Sequence, residues 1–318
     1  MTAVDMDCDS VVNFDWENGA RPSRGADQVT VASKTVSDVI HSHFGVLTRA
    51  EKQLAESLLD NYPVSGLGSI TTIAENAGVS TPTVVRMVQK LGFKGYPDFQ
   101  AHLHLEVEAT ISNPIAKHDR WAQNAPGTHI LNRFADAIMG NLRQTLSDLD
   151  TATFDSVASL LSDRKRGLYF VGGRITGALA EYFFTHMQVI RPATTLLSAN
   201  SSSWPQYVLN MNAGDILIIF DIRRYEQEMV SLATAARKRG AEIVVFTDQW
   251  GSPAAKLARH AFRVRIEAPS AWDSSVVTLF IVEALIEAVQ NSTWDETKER
   301  MKTLEGLFEQ TKLFRKPG

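Results

Sequence analysis

The chain reads as a multidomain protein, an all-α block followed by a three-layer α/β domain built on a parallel sheet. Three observations predict this. At 318 residues it exceeds one ordinary domain of about 100–200 residues. From about 34 to 110 the apolar residues recur at helical spacing throughout. Beyond that the period changes, with short apolar runs at 167–171, 194–197, 216–220, 243–246 and 262–266 separated by helical segments. Strands alternating with helices imply parallel pairing with helices on both faces.

Residues 1–33 mix acids, Gly, Pro, Ser and Arg without periodicity and are expected to form a flexible tail. In the helical domain, 34–110, Leu47, Glu51, Leu54, Ala55, Leu58 and Leu59 mark a helix ending near Tyr62-Pro63. Further helices are expected at 69–77, at 81–91 and after Tyr96-Pro97, the last with Phe99, Leu103 and Val107 as its stripe. Ser112-Asn113-Pro114 closes this block, and 111–128 reads as a linker. The second domain, 129–291, opens with helices at about 129–148 and 153–162. Its strands are then spaced by helices at 177–190, 204–211, 226–239 and 253–260, and a helix at 273–291 follows. A C-terminal helix is expected within 292–318.

Apolar residues make up 44% of the chain, ample for a packed core. Lys and Arg number 32 against 36 acids, a net charge of −4, which excludes a global polycation. Any nucleic-acid contact must come from a local patch. The single cysteine, Cys8, excludes an intrachain disulfide and fits a reducing cytoplasm. Asp5, Asp7 and Asp9 near the start argue against a signal peptide. The longest aliphatic–aromatic run, 216–220, falls far short of the ~20 residues that span a bilayer. A cytoplasmic protein without a membrane partner is expected.

The local patch lies in NAGVSTPTVVRMVQKLGFKGY, residues 76–96. Ile73, Ala74 and Ala77 share a face small enough for two helices to cross closely, and Gly78 supplies the sharp turn between them. Val79, Val84, Met87 and Val88 return to the same core. Ser80 is a good helix cap, and Pro82 falls in the first turn, where a missing N–H costs nothing. With Val84, Val88 and Leu91 inward, Ser80, Thr81, Thr83, Arg86, Gln89 and Lys90 are expected to face out, followed by Lys94. Hydroxyls at a helix N-terminus, a mid-helix guanidinium and flanking amines are what a major-groove helix needs for base edges and phosphates. Between Ser80 and Pro97 there are three basic residues and no acid. The competing reading is a helical hairpin with a solvated polar face.

LTRAEKQLAESLLDNYPV followed by SITTIAENAGVSTPTVVRMVQKLGFKGYPDFQ resembles the N-terminal helix-turn-helix domain of RpiR-type bacterial transcriptional regulators, over about 47–103 and including the KLGFKGY ending. The resemblance implies a C-terminal SIS (sugar-isomerase) domain with a parallel, flavodoxin-like sheet. It also implies a non-enzymatic, effector-responsive regulator that binds a double-stranded DNA operator. The alternative is an SIS-type sugar-phosphate isomerase with a helical N-terminal extension.

The second domain has unusual loops. After its first strand, VGGRITGALAE places Arg174 where a dinucleotide fingerprint needs its second glycine, and no acid ends the second strand. No cofactor is expected. Gly172, Gly173 and Thr176 instead resemble the Gly-rich turn and Ser/Thr helix start of SIS domains, where a helix N-terminus meets an anion. FTDQWGSPAAKLA, with Thr247, Ser252 and Pro253, also resembles the family. Sugar-phosphate-binding members usually carry a Ser-x-Ser-Gly-x-Thr run after the third strand; here stand Asp221-Ile222-Arg223-Arg224-Tyr225-Glu226, with only Glu228 retained. The expected effector set is Gly172, Gly173, Arg174, Thr176, Arg223, Arg224, Tyr225 and Ser274, suited to a small anionic effector because arginine forks match carboxylates and phosphates. The competing reading pairs Arg223 or Arg224 with Asp221, Glu226, Glu228 or a second subunit. The loops 198–204 and 270–275 could line the same pocket.

No catalytic residue and no metal site are expected. His186 sits mid-helix beside Phe183 and Phe184, where packing or an interface is its commoner role. His260 is expected to end a helix, and Glu283 to lie at the polar margin of one. His102 and His104 are two apart on a helix and diverge. Because one helix-turn-helix reads few base pairs, a homodimer or homotetramer is expected, with 177–190 and 273–291 at the interface.

Overall fold

The computed structural model describes residues 34–60, 62–111, 114–115, 117–118 and 129–312, without the side chains of 110 and 111. The expected tail at 1–33 and most of the expected linker lie outside them.

Reciprocal caps start the N-terminal helices. Thr35 accepts from the Asp38 N–H while the Asp38 carboxylate accepts from the Thr35 N–H at 2.8 Å, opening α1 (Val36–His43). Thr48 and Glu51 do the same for α2 (Arg49–Asp60), the Thr48 N–H lying 2.8 Å from Glu51 Oε2. The Ser69 hydroxyl accepts from the Thr72 N–H at 3.1 Å at the head of α3 (Ile70–Asn76). Then come α4 (Thr81–Lys90) and α5 (Tyr96–Ile111). Their inward faces, with Leu54, Ala55, Leu58, Ile73, Ala74, Val84, Met87, Val88, Phe99 and Leu103 all buried, form one apolar core.

The second block runs α6 (Ile130–Asp148), α7 (Thr151–Ser162), β1 (Leu168–Gly172), α8 (Gly177–Ile190), β2 (Thr194–Leu196), α9 (Trp204–Asn210), β3 (Ile216–Phe220), α10 (Gln227–Lys238), β4 (Glu242–Asp248), β5 (His260–Val264), α11 (Val276–Ser292) and α12 (Trp294–Thr311). The five strands form one parallel sheet in the order β2-β1-β3-β4-β5. Alternate residues serve opposite faces. Phe170, Ile218, Phe220, Phe246 and Phe262 pack with Phe183 of α8 and Leu285 of α11. Leu217, Ile219, Ile243 and Val245 pack with Met229 and Leu232 of α10. Phe220, Phe246 and Phe262 stand in register on adjacent strands and stack at 4.5 and 4.9 Å between ring centroids. Strand order reverses between β1 and β3, so a crevice is expected at their carboxyl ends.

One expected element is corrected. Residues 253–260 do not form an α-helix; a five-residue 3-10 helix spans Pro253–Leu257, and His260 opens β5. Parallel pairing of Val244 with His260 draws that residue into the sheet, a long-range contact that local patterning does not carry. Among the described residues, no single helix is long and apolar enough to cross a membrane.

Arg265, just after β5, joins the two blocks by pairing with Asp38 of α1 and lying 3.6 Å from Asp148 of α6. Tyr62 packs against both cores.

Candidate functional site

In the N-terminal block, α3 and α4 meet through Gly78, whose φ of +64° favours glycine. A Cβ there would lie 3.1 Å from the Gln53 amide, which donates to the Ala77 carbonyl at 2.8 Å and locks α2 onto the turn. The Val79 N–H closes the corner on the Ala74 carbonyl at 2.9 Å. Ser80, Arg86, Gln89 and Lys94 are exposed, and Thr81 is half-buried.

Two of the expected outward residues behave differently. Thr83 is 7% exposed, and its hydroxyl bonds Ser80 Oγ at 2.9 Å and lies 3.5 Å from Arg86 Nη2. It therefore braces the helix start and steers Arg86 from inside. Lys90 is turned back: its ammonium lies 2.5 Å from Glu51 Oε2, a carboxylate only 4% exposed. Burial raises the Glu51 pKa, but bonds from Lys90 and Thr48 outweigh it and leave the group below its ordinary value. The reason is that α2 places an acid, already engaged in capping its own helix, beside the end of α4. Lys90 thus ties α4 to α2 while its side chain stays 35% exposed, alongside the exposed Arg86 and Lys94.

At the strand ends of the second block, β1 stops at Gly172. A Cβ at this position would come within 2.5 Å of the Thr176 carbonyl, so only glycine lets the loop double back here. The Thr176 hydroxyl accepts from the Gly173 N–H and donates to the Phe220 carbonyl, both at 2.8 Å. Its proton and an acceptor site serve the fold, tying the β1 turn to β3. Arg174 is exposed.

The loop after β3 is organised by two buried carboxylates. Asp221, 3% exposed, accepts from the Ser252 hydroxyl and from the Glu226 N–H at 3.3 Å. Burial pushes its pKa up to about 6. Asp248, fully buried at the end of β4, accepts from the Tyr225 hydroxyl and the Arg223 N–H, both at 2.6 Å, and from the N–H groups of Trp250 and Gly251. Burial raises its pKa, against the lowering pull of these donors. Burial and the nearby Asp248 charge also drive the Tyr225 phenol far above its usual range, which keeps it a donor. Asp248 holds Arg223 in the left-handed region, φ +69°, a conformation that costs energy for a non-glycine residue.

Arg223 does not present an open fork. Its guanidinium lies over the Trp250 ring at 4.6 Å, with Nε 3.4 Å from Asp273 Oδ2, and the side chain is 9% exposed. Adjacent residues diverge here, so Arg224 is exposed while Arg223 is held inside. Ser274 is buried, and its hydroxyl accepts from the Val276 N–H at 3.2 Å just ahead of α11. The structure thus brings the expected residues to one edge of the sheet, with Arg223, Tyr225, Thr176 and Ser274 committed to internal partners and Arg174 and Arg224 facing solvent.

Two surface depressions of about 510 and 880 Å³ lie elsewhere, one lined by His41, Phe44 and Lys256, the other by Arg164, Gln188 and Arg300. The strand ends gather Arg174, Arg223 and Arg224 with the buried Asp221 and Asp248, and they form the candidate site.

His260 and His186 stand apart from this edge. His260 begins β5, at the opposite end of the parallel strands, and meets Ser156 Oγ at 3.1 Å. Burial, then Arg259, lowers its pKa. His186 is exposed, its ring 4.5 Å from that of Tyr182. Tyr182 donates to Glu283 at 2.9 Å.

Sequence reasoning missed Asp248, Trp250 and Lys117 as members of this edge. An acid closing the apolar run IVVFTD was a visible signal for Asp248. Nothing local marks Lys117.

A helix-turn-helix joined to a doubly wound parallel sheet defines a class of two-block proteins, and comparison with known sequences identifies it. The rpiR-family helix-turn-helix domain matches residues 34–110 and the SIS domain matches 160–288, and the chain belongs to this family of transcriptional regulators. It is 26% identical over 231 residues to the HTH-type transcriptional regulator HexR of Pseudomonas aeruginosa, covering 70% of this chain and 76% of that protein. An uncharacterized HTH-type transcriptional regulator of Clostridium perfringens is 23% identical over 80% of this chain and 91% of its own length. Among solved structures, the Vibrio vulnificus NanR protein complexed with ManNAc-6P matches with TM-score 0.52 and 18% identity, covering 88% of this chain and 100% of that one. The sugar isomerase domain of an RpiR transcription factor from Sphaerobacter thermophilus matches with TM-score 0.51 and 20% identity, over 55% of this chain and 97% of its own.

Proposed function

We propose that this protein is a cytoplasmic, non-enzymatic transcription regulator that binds a two-fold DNA operator as a homodimer or homotetramer. A small anionic metabolite, a sugar phosphate or an organic acid, is held at the strand ends of its SIS domain and changes operator affinity. The observation that carries the DNA half is the α4 face: Ser80, Thr81, Arg86, Gln89 and Lys94 stand on a helix start and its exit turn without an acid between Ser80 and Pro97. Such a face places donors against base edges and phosphates together. For the effector, Arg174 and Arg224 offer solvent-facing forks beside the β1 turn and the β3 loop. NanR, solved with ManNAc-6P, supports a phosphorylated ligand by analogy of fold.

The anion is expected to shift the strand-edge loops and the segment leading to the helix-turn-helix, a coupling of ~1–3 kcal/mol in typical systems. The test is selection of genomic fragments by the purified full-length protein. Fluorescence anisotropy on the enriched duplex then follows, with panels of sugar phosphates, organic acids and uncharged sugars. Sequence-selective binding that anions alone modulate is the expected result. Absence of any preferred duplex, or modulation only by uncharged sugars, overturns the reading.

A further inference from the structure

Asp273 stands between two cations drawn from distant parts of the chain. One carboxylate oxygen pairs with Lys117 Nζ, and the other lies 3.4 Å from Arg223 Nε. Lys117 is 3% exposed and the Arg223 side chain 9%, whereas the Asp273 side chain is 20% exposed. The cations are thus more deeply placed than the anion that joins them. Lys117 lies between α5 and α6, on the stretch connecting the helix-turn-helix to the SIS domain. Asp273 sits outside any helix or strand, beside Trp272, which is 60% exposed.

Buried cations need an anion, because desolvation without one costs several kcal/mol. Nothing requires that anion to be the chain's own. A tetrahedral dianion presents more acceptors than a carboxylate and can satisfy an ammonium and a guanidinium at once. The carboxylate it replaces is the most exposed of the three groups and has the shortest path to water.

We propose that Asp273 is an internal placeholder for the effector's anionic group, so that ligand binding exchanges Asp273 for the ligand and makes Lys117 a direct ligand contact. This deepens the anion-sensing reading above and rests on it. It also explains how occupancy reaches the DNA-binding block: the contacted lysine belongs to the stretch that leads there, so its change of partner needs no relay through the sheet.

Sulfate serves as probe on the full-length protein. Asp273→Asn removes the competitor and should bind sulfate about tenfold more tightly than the parent in calorimetric titration, while Lys117→Gln should bind it about tenfold more weakly. In the unmodified protein, which avoids any question of folding, sulfate should raise labelling of Asp273 by a carbodiimide and an amine nucleophile several-fold, read by peptide mass spectrometry. Unchanged Asp273 labelling at saturating sulfate, or parental affinity in folded Lys117→Gln, overturns the placeholder role. If sulfate still binds and Arg174→Ala abolishes it, the anion site stands and the exchange alone fails. If neither the parent nor Asp273→Asn binds sulfate, both readings fall.

Discussion

Arg86 stands exposed in the middle of α4, with the Thr83 hydroxyl 3.5 Å from its guanidinium. Replacing it by Ala removes only this long contact to Thr83. We expect about 1–3 kcal/mol of lost operator binding, with an unchanged melting temperature, measured by anisotropy beside thermal denaturation. Thr83 should behave in the opposite way: buried, it contributes to the fold, and Thr83→Val should lower stability while Arg86 retains most of its DNA contact. The difference between these neighbours was not legible in the sequence. Helical periodicity assigns a face to within one side chain, and a hydroxyl at the edge of that face turns in or out according to what it can bond. For Lys90 the deciding group, Glu51, lies on another helix.

Among the elements, the β1 turn depends on Thr176, whose single hydroxyl fastens two loops. Thr176→Val strands the Gly173 N–H and the Phe220 carbonyl, and about 1–3 kcal/mol of stability should be lost in urea denaturation. A loss confined to ligand binding, with the urea midpoint unmoved, would contradict the tether. The α5 helix supplies a pH-dependent element. Glu106 accepts from the Val36 N–H at 2.7 Å and from the Tyr62 hydroxyl, and burial, the largest influence, pushes its pKa to about 7. Unfolded, it titrates near 4.5. The folded state therefore binds the proton more tightly, and the associated stability is complete below pH 4.5 and lost as pH rises through 7. Glu106→Gln should flatten this decline, seen as a melting-temperature difference from the parent that changes across pH 4.5–8. An identical pH profile in the variant would exclude the assignment. Element types and order were legible, since strands and helices carry different apolar periods. The segment 253–260 was not, because strand pairing drew His260 from its local pattern.

For the whole molecule, Arg265 is the joint. Its guanidinium, 5% exposed, pairs with Asp38 of the helical block and approaches Asp148 of the α/β block. Arg265 is buried but Asp38 and Asp148 are partly open to water, so losing the guanidinium leaves carboxylates that solvent can compensate only in part. Arg265→Ala should make the two blocks melt in separate calorimetric transitions. One unshifted transition would show that the pair does not hold them together.

From its sequence alone, this chain declares a helical reader followed by a doubly wound sheet, the turn at Gly78, the Gly-rich loop at β1 and a strand-end loop rich in arginine. These follow from local chemistry: periodicity, caps, turn residues and motif spacing. Only the tertiary structure decides which charges remain available. Lys90 meets Glu51 across 39 positions, Arg265 meets Asp38 across 227, and Asp273 meets Lys117 across 156. A side chain's charge is local, but its partner is chosen by the fold, and in a desolvated setting the partner determines what that charge can do.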